Sequence, residues 1–219
     1  MIKAVIFDFD GLIMDTESEH YEALCEIFRG YDCEMPLELW GKGVGTHSGF
    51  KPFKYLEEQI KKPLDTEKLD HELEEMFLKR LEKGAAREGV EDYLKSAKNL
   101  GLKVGLASSS DRKWLHRYLR QLGLLAYFDC IKSSDDVEKV KPDPALYLKA
   151  AGCLGVEPEQ CLVFEDSPNG SLAAKRAGMA CVVVPNRVTK DLKFGEIDHR
   201  LGSMAETPLE EVIRFIESR

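Results

Sequence analysis

Four short apolar stretches, Ile2 to Phe7, Leu102 to Ala107, Cys161 to Phe164 and Cys181 to Val184, lack the alternation expected of a strand with one wet face. Near-continuous apolar strands are buried on both sides, the condition of a parallel sheet covered by helices above and below. Phe128 to Lys132 is a weaker fifth candidate. Each stretch is followed by turn residues and a helical pattern. From about residue 88 onward this alternation predicts an α/β fold, a doubly wound parallel sheet.

The helices carry start and stop signals. Asp143-Pro144 and Ser167-Pro168 each place a capping side chain before a proline suited to the first helical position, and Gly178 stands where a helix would end. Ser110 is a candidate cap for the helix carrying Leu115, Leu119 and Leu122. Residues 16–84 differ, because helical periodicity dominates and no strand-like run occurs. Thr16-Glu17-Ser18-Glu19 fits a capping box, and Leu69, Leu73, Met76, Phe77 and Leu81 share one helix face. Between them, Trp40-Gly41-Lys42-Gly43-Val44-Gly45 reads as a glycine-dense turn. The expected organisation is a core made of residues 1–15 and 85–219, with residues 16–84 inserted after the first strand as an all-helical domain. Its two connections to the sheet permit hinge motion.

Composition narrows the function classes. At 219 residues, 43% hydrophobic and 32% charged, the chain can build a sizeable core and does not read as disordered. Its net charge of −8 disfavours nucleic acid, which is bound by neutralising phosphates. No run approaches the roughly 18 apolar residues of a membrane span, and the first stretch turns acidic at Asp8, too early for a signal peptide. The expectation is a cytoplasmic protein with no membrane partner and no obligatory protein partner. The six cysteines lack CxxC spacing, so all are expected to be reduced and mostly packed.

Candidate chemistry gathers at the strand ends, where open α/β sheets bind ligands. Asp8-Phe9-Asp10-Gly11 follows the first strand, and positions two apart can face one site. Aspartates also serve turns by bonding local backbone. Two close carboxylates stay ionised only beside a cation; otherwise one becomes an acid. Glu165-Asp166 occupies the equivalent strand end, where hard oxygen ligands suit Mg²⁺ and where acidic residues also favour a helix N-terminus. Ala107-Ser108-Ser109-Ser110 offers backbone N–H groups and hydroxyls to an anion, or simply caps a helix. Lys141-Pro142-Asp143-Pro144 supplies a cation whose backbone the prolines restrict, although an exposed loop lysine would read the same way. Asp8, Asp10, Glu165 and Asp166 against Lys141 leave a net −3, which a phosphate dianion does not enter cheaply. A divalent cation, or a protonated Asp10, is therefore required.

The motifs in this order, Asp8-Phe9-Asp10-Gly11-Leu12-Ile13-Met14-Asp15-Thr16-Glu17, Ser108, Lys141 and Glu165-Asp166, resemble the haloacid dehalogenase superfamily over nearly the whole chain. The helical insertion resembles its β-phosphoglucomutase-like branch of sugar-phosphate phosphatases and mutases. The resemblance implies a Rossmann-like core with a helical cap domain. Asp8 would be the nucleophile that forms an aspartyl-phosphate, and Asp10 the general acid and base. Mg²⁺ would be held by Asp8, Asp166 and the backbone carbonyl of Asp10, with Glu165 as an auxiliary ligand. Ser108, Ser109 and Lys141 would hold the phosphoryl group, helped by amides near Phe9 and Asp10. Asp10 also distinguishes the pattern from members that displace halide, which lack it.

A mutase in this branch carries an arginine after its Gly-Val step, whereas here Gly43-Val44 is followed by Gly45-Thr46-His47-Ser48. The resemblance therefore implies a Mg²⁺-dependent phosphatase of a small phosphorylated metabolite of sugar or polyol type. A phosphotransferase like β-phosphoglucomutase and a catalytically silent module that binds phosphorylated ligands are the alternatives. Thr16, Glu17, His20 and His47 are candidate substrate contacts, and Trp40, Lys51, Lys79 and Arg80 can also face the cleft.

Overall fold

A computed structural model describes residues 1–41 and 50–219. Six strands, β1 (Ala4–Phe7), β2 (Lys103–Ala107), β3 (Cys130–Lys132), β4 (Cys161–Glu165), β5 (Ala180–Val183) and β6 (His199–Arg200), form one sheet in the order β3-β2-β1-β4-β5-β6. Every pairing is parallel. The five expected strands are all present. β6 has only two residues and no apolar run to announce it.

Alternate residues of the strands feed two apolar layers, as a pleated backbone requires. Ala4, Ile6, Val163 and Val183 pack with α7 (Ala145–Leu154) and α8 (Pro168–Arg176). Val5, Phe7, Leu106, Phe164 and Val182 pack with α5 (Val90–Asn99), α6 (Arg112–Gln121) and α9 (Leu209–Glu217). Phe7 stacks on Phe164 across β1 and β4 with ring centroids 5.1 Å apart. β1 thus lies between β2 and β4, with its carboxyl end flanked by theirs.

Between β1 and α5 the chain is helical: α1 (Thr16–Arg29), α2 (Leu37–Gly41), α3 (Pro52–Ile60) and α4 (Thr66–Leu81). Leu69, Leu73, Phe77 and Leu81 form the buried stripe of α4, with Met76 at its edge. The second apolar layer continues without a break into these helices through Leu12, Ile13, Tyr21, Leu24 and Phe28. The segments leaving and rejoining the sheet run side by side: Met14 bridges Ala86, and Arg87 N–H donates to the Ile13 carbonyl at 2.8 Å. The Arg87 guanidinium then donates to the carbonyls of Gly11, Val184 and Pro185 at 2.6–2.9 Å.

Several caps differ from expectation. Ser167 caps α8 by accepting from Gly170 N–H, as predicted, but α1 is capped by Asp15 and α6 by Asp111. Thr16 and Ser110 are thereby released from capping, and both side chains turn to Asp10. At α7, Asp143 accepts from Ala145 N–H at 3.0 Å. The expectation of six reduced thiols fails at two positions. Packing of β3 against α7 brings Cys130 and Cys153 to a Cα separation of 6.2 Å, within disulfide range, and they are bonded; Cys25, Cys33, Cys161 and Cys181 are free. Among the described residues no helix is long and apolar enough to cross a membrane.

Candidate active site

Asp8 follows the last residue of β1 and is 7% exposed. The next residues turn sharply, with Ile13 N–H donating to the Phe9 carbonyl at 2.9 Å and Gly11 N–H to the Met14 carbonyl at 2.8 Å. Gly11 sits at φ +79°, and a Cβ there would collide with the Asp166 carboxylate and the Asn186 amide. Only glycine fits both that backbone and that close approach.

Lys141, preceding α7, enters the crevice and is buried there, 6% exposed. Its ammonium donates to Asp8 Oδ1 and to Glu165 Oε1, each at 2.7 Å. Tyr147, one turn into α7, donates its hydroxyl to Glu165 Oε1 at 2.7 Å, and its ring lies 4.8 Å from the Lys141 nitrogen. The other oxygen of Glu165 accepts from the N–H groups of Asp166 and Ser167 and from the Ser167 hydroxyl at 3.0–3.1 Å. Both Glu165 oxygens are thus occupied by protein donors. Gly170 makes room for this carboxylate, since a Cβ there would overlap it. Glu165 therefore positions Lys141 in this arrangement.

Burial works against the acids. Desolvation, with Glu165 nearby, pushes the Asp8 carboxyl up to about 7 although Lys141 opposes it. Asp166, 1% exposed, is pushed well above the carboxylate range by burial and then by Glu165 and Asp8. Its Oδ2 accepts from Asn186 Nδ2 at 2.8 Å. Lys141 is raised too, which for a base favours the charged form: its burial, which acts to lower it, is outweighed by Asp8 and Glu165.

Asp10 is only partly buried and both its oxygens are held. Oδ1 accepts from the Trp114 indole at 2.9 Å and the Thr16 hydroxyl at 3.1 Å; Oδ2 accepts from Ser110 at 2.6 Å and Ser108 at 3.3 Å. Ser108, at the end of β2 and 1% exposed, also accepts from Ser110 N–H at 3.0 Å.

The residues fit a hard divalent cation. Asp8, Glu165 and Asp166 each present a carboxylate oxygen, all within 4.8 Å of one another and all buried. Oxygen-only donors of this kind suit Mg²⁺, and a cation among them would reverse the upward shifts of Asp8 and Asp166. Asp8 and Asp166 would be the better-placed ligands, because Glu165 already has a donor on each oxygen.

Above these groups lies a cleft of about 250 Å³ that also reaches Ser109, Glu17, His20 and Phe77. Glu17 is pushed up to about 8, chiefly by burial and then by Asp10, Asp15 and Asp8. His20 is lowered to about 4 by burial; it stacks on Phe77 at 4.7 Å and meets Trp40 edge-on at 4.9 Å. The other predicted contacts lie elsewhere. Arg80 pairs with Glu26 and Glu19, Lys51 and Lys79 are exposed and do not line the cleft, and Trp40 packs edge-on against His20. His47 lies outside the described residues, as do Gly43-Val44 and the residues that follow them.

Trp114, Tyr147 and Asn186 join the site without belonging to any of the sequence motifs. A tyrosine six residues after Lys141, on the buried face of an apolar helix, does signal a hydroxyl needing a partner. No local signal marks Trp114 or Asn186, because each reaches the site across the fold.

The profile of the haloacid dehalogenase-like hydrolases matches residues 5–184, and the chain belongs to that family. It is 58% identical over 219 residues, the full length of both chains, to the Bacillus subtilis (strain 168) protein named "Putative phosphatase YhcW". It is 33% identical over 220 residues, covering 99% of each, to the "Phosphorylated carbohydrates phosphatase" of Thermotoga maritima. A solved Thermotoga maritima structure described as a "putative beta-phosphoglucomutase" superposes with a TM-score of 0.77 at 29% identity, covering 97% of this chain and 99% of that one.

Proposed function

We propose that this protein is a Mg²⁺-dependent phosphatase that hydrolyses a small sugar or polyol monophosphate through an aspartyl-phosphate on Asp8. The observation that carries this reading is the pair Asp8 and Asp10 at one strand end. One is tied to a buried lysine; the other is held by four side-chain donors in the mouth of the cleft. A binding module has no need of a nucleophile set beside an acid.

In the first step an oxygen of Asp8 attacks phosphorus, the bond to the leaving alcohol breaks, and that alcohol oxygen takes a proton from Asp10. In the second a water oxygen attacks phosphorus, Asp10 takes its proton, and the bond to Asp8 breaks to release inorganic phosphate. Lys141 and Ser108, with the N–H groups beyond β1 and β2, would hold the phosphoryl oxygens. Bound Mg²⁺ would supply the positive charge that admits a phosphate dianion among so many carboxylates. The helices α1–α4 would act as a cap excluding bulk water from the intermediate.

The cleft itself favours a monophosphate. It is small, and among the described residues that line it Lys141 is the cation, already engaged by Asp8 and Glu165. Glu17, raised to about 8 by burial and the acids around it, can when protonated both donate to and accept from a sugar hydroxyl, but it brings no positive charge to a second phosphate. The relative named for phosphorylated carbohydrates supports the same class. Phosphate release from a panel of sugar, polyol and carboxylic-acid phosphates, with Mg²⁺ and with chelator, tests the reading. Release should require the metal, favour hydroxyl-rich monophosphates and vanish in Asp8→Asn.

A further inference from the structure

Trp114 stands directly on Asp10. It lies in the first turn of α6, where its backbone N–H bonds the capping Asp111 at 2.8 Å, and its ring packs edge-on against Tyr118 one turn later at 4.6 Å. From that seat the indole N–H donates to Asp10 Oδ1 at 2.9 Å. The same ring system stacks on Phe77 of α4, with centroids 5.9 Å apart and planes 23° from parallel. Phe77 in turn stacks on His20 of α1. One side chain therefore joins a carboxylate at the strand end to the helices that cover it.

The four donors around Asp10 are chemically unequal. A hydroxyl can rotate and become an acceptor, whereas an indole N–H only donates. Thr16 at Oδ1 and Ser108 and Ser110 at Oδ2 can adapt to a proton on the carboxyl; Trp114 cannot. A protonated Oδ1 would be a poorer acceptor than a carbonyl oxygen and would weaken the indole bond, so the transferable proton belongs on Oδ2, the oxygen that faces Ser108 and Ser110. Rotating the carboxyl to exchange its oxygens would break the indole bond.

We propose that Trp114 is a positioning residue for the acid step: it anchors Asp10 Oδ1, assigns the transferable proton to Oδ2, and links that orientation through Phe77 to the seating of α4. The inference rests on the reading of Asp10 as general acid. It adds a residue that acts through Asp10 rather than on the reacting atoms.

Leaving-group dependence separates this role from packing. A sugar alkoxide needs a proton to depart and p-nitrophenolate does not, so loss of the acid's orientation should appear with the first and not the second. The probes are glucose 6-phosphate and p-nitrophenyl phosphate, compared as kcat/KM, which reports the step that forms the phosphoenzyme. Trp114→Phe keeps the ring and removes the N–H. It should lower kcat/KM about tenfold for glucose 6-phosphate, the scale of a hydrogen bond to a charged group, and less than about twofold for p-nitrophenyl phosphate. Phe77→Leu, which spares the indole, should show the same split at about threefold, within the usual range of a stacked pair. It also carries the test should Trp114→Phe fail to fold.

Equal losses on both probes, or no loss on either, would overturn the proposal. Asp10→Asn on the same pair keeps the two readings apart. A split in Asp10→Asn without one in the Trp114 and Phe77 variants removes Trp114 alone. Absence of a split in Asp10→Asn removes the acid assignment, and the Trp114 inference with it.

Discussion

Lys141 and Glu165 meet at 2.7 Å with side chains 5% and 0% exposed, and the same ammonium lies 2.7 Å from Asp8. A buried charge pair of this kind is costly to break, because the surviving partner stays in a low-dielectric site. The pair is therefore a structural commitment as well as a means of placing one positive charge beside Asp8.

Lys141→Met should destabilise the fold by about 3–5 kcal/mol, since two buried carboxylates lose their counter-charge. Phosphate release should also fall to background. Urea unfolding and the release assay, run on the same preparation, check both. Unchanged stability would mean that Asp8 and Glu165 find water or protons without cost.

Tyr147→Phe removes only the hydroxyl that bonds Glu165 Oε1 and leaves the ring beside Lys141. The expected loss is about 1–2 kcal/mol in urea unfolding, the scale of a buried hydrogen bond to a charged group. Turnover should fall less than in Lys141→Met, because the ammonium stays in place.

His20 supplies a pH test. Burial lowers its folded value from 6.5 to about 4, so between those pH values the unfolded chain holds more protons than the folded one. The stability that His20 contributes as a neutral ring is complete above about pH 6.5. It is lost as pH falls toward 4, amounting to at most about 3 kcal/mol. In His20→Gln that part of the slope should disappear, as read from unfolding free energies measured between pH 4 and 7.

The metal reading predicts that Mg²⁺ raises the thermal midpoint of the wild type, because a cation binding only the folded state stabilises it by mass action. Asp166→Asn should abolish most of that increase and weaken Mg²⁺ binding in calorimetric titration. Glu165→Gln should weaken binding less while costing stability through Lys141, in keeping with a carboxylate whose oxygens are already bonded.

Much of this arrangement is legible in the chain. The apolar runs ending at Phe7, Ala107 and Phe164 identify buried parallel strands, and the acids and serines that follow them must then converge, because parallel strands present one common end. Lys141 is readable as a cation before a helix, though its burial follows only from Glu165 and Tyr147 packing around it. Capping is less legible. Asp15 and Thr16, or Ser110 and Asp111, are adjacent residues of similar propensity, and what decides between them is the distant Asp10, which recruits Thr16 and Ser110. Trp114 is silent for the same reason: a tryptophan in an amphipathic helix reads as packing until the partner of its N–H is known. The Cys130–Cys153 bond likewise depends on β3 meeting α7, a contact that spacing alone does not encode.

The central claim is that Asp8 carries the phosphoryl group, and direct detection of that adduct tests it most directly. Asp10→Asn, loaded with p-nitrophenyl phosphate and Mg²⁺, should form the adduct without needing the acid and lose it slowly for want of the base. Acid quenching, proteolysis and mass spectrometry should place one phosphoryl group on Asp8, with none in the Asp8→Asn, Asp10→Asn double variant. Phosphate release by Asp8→Asn at a rate near that of the wild type, or a phosphoryl group found on another residue, would contradict the account.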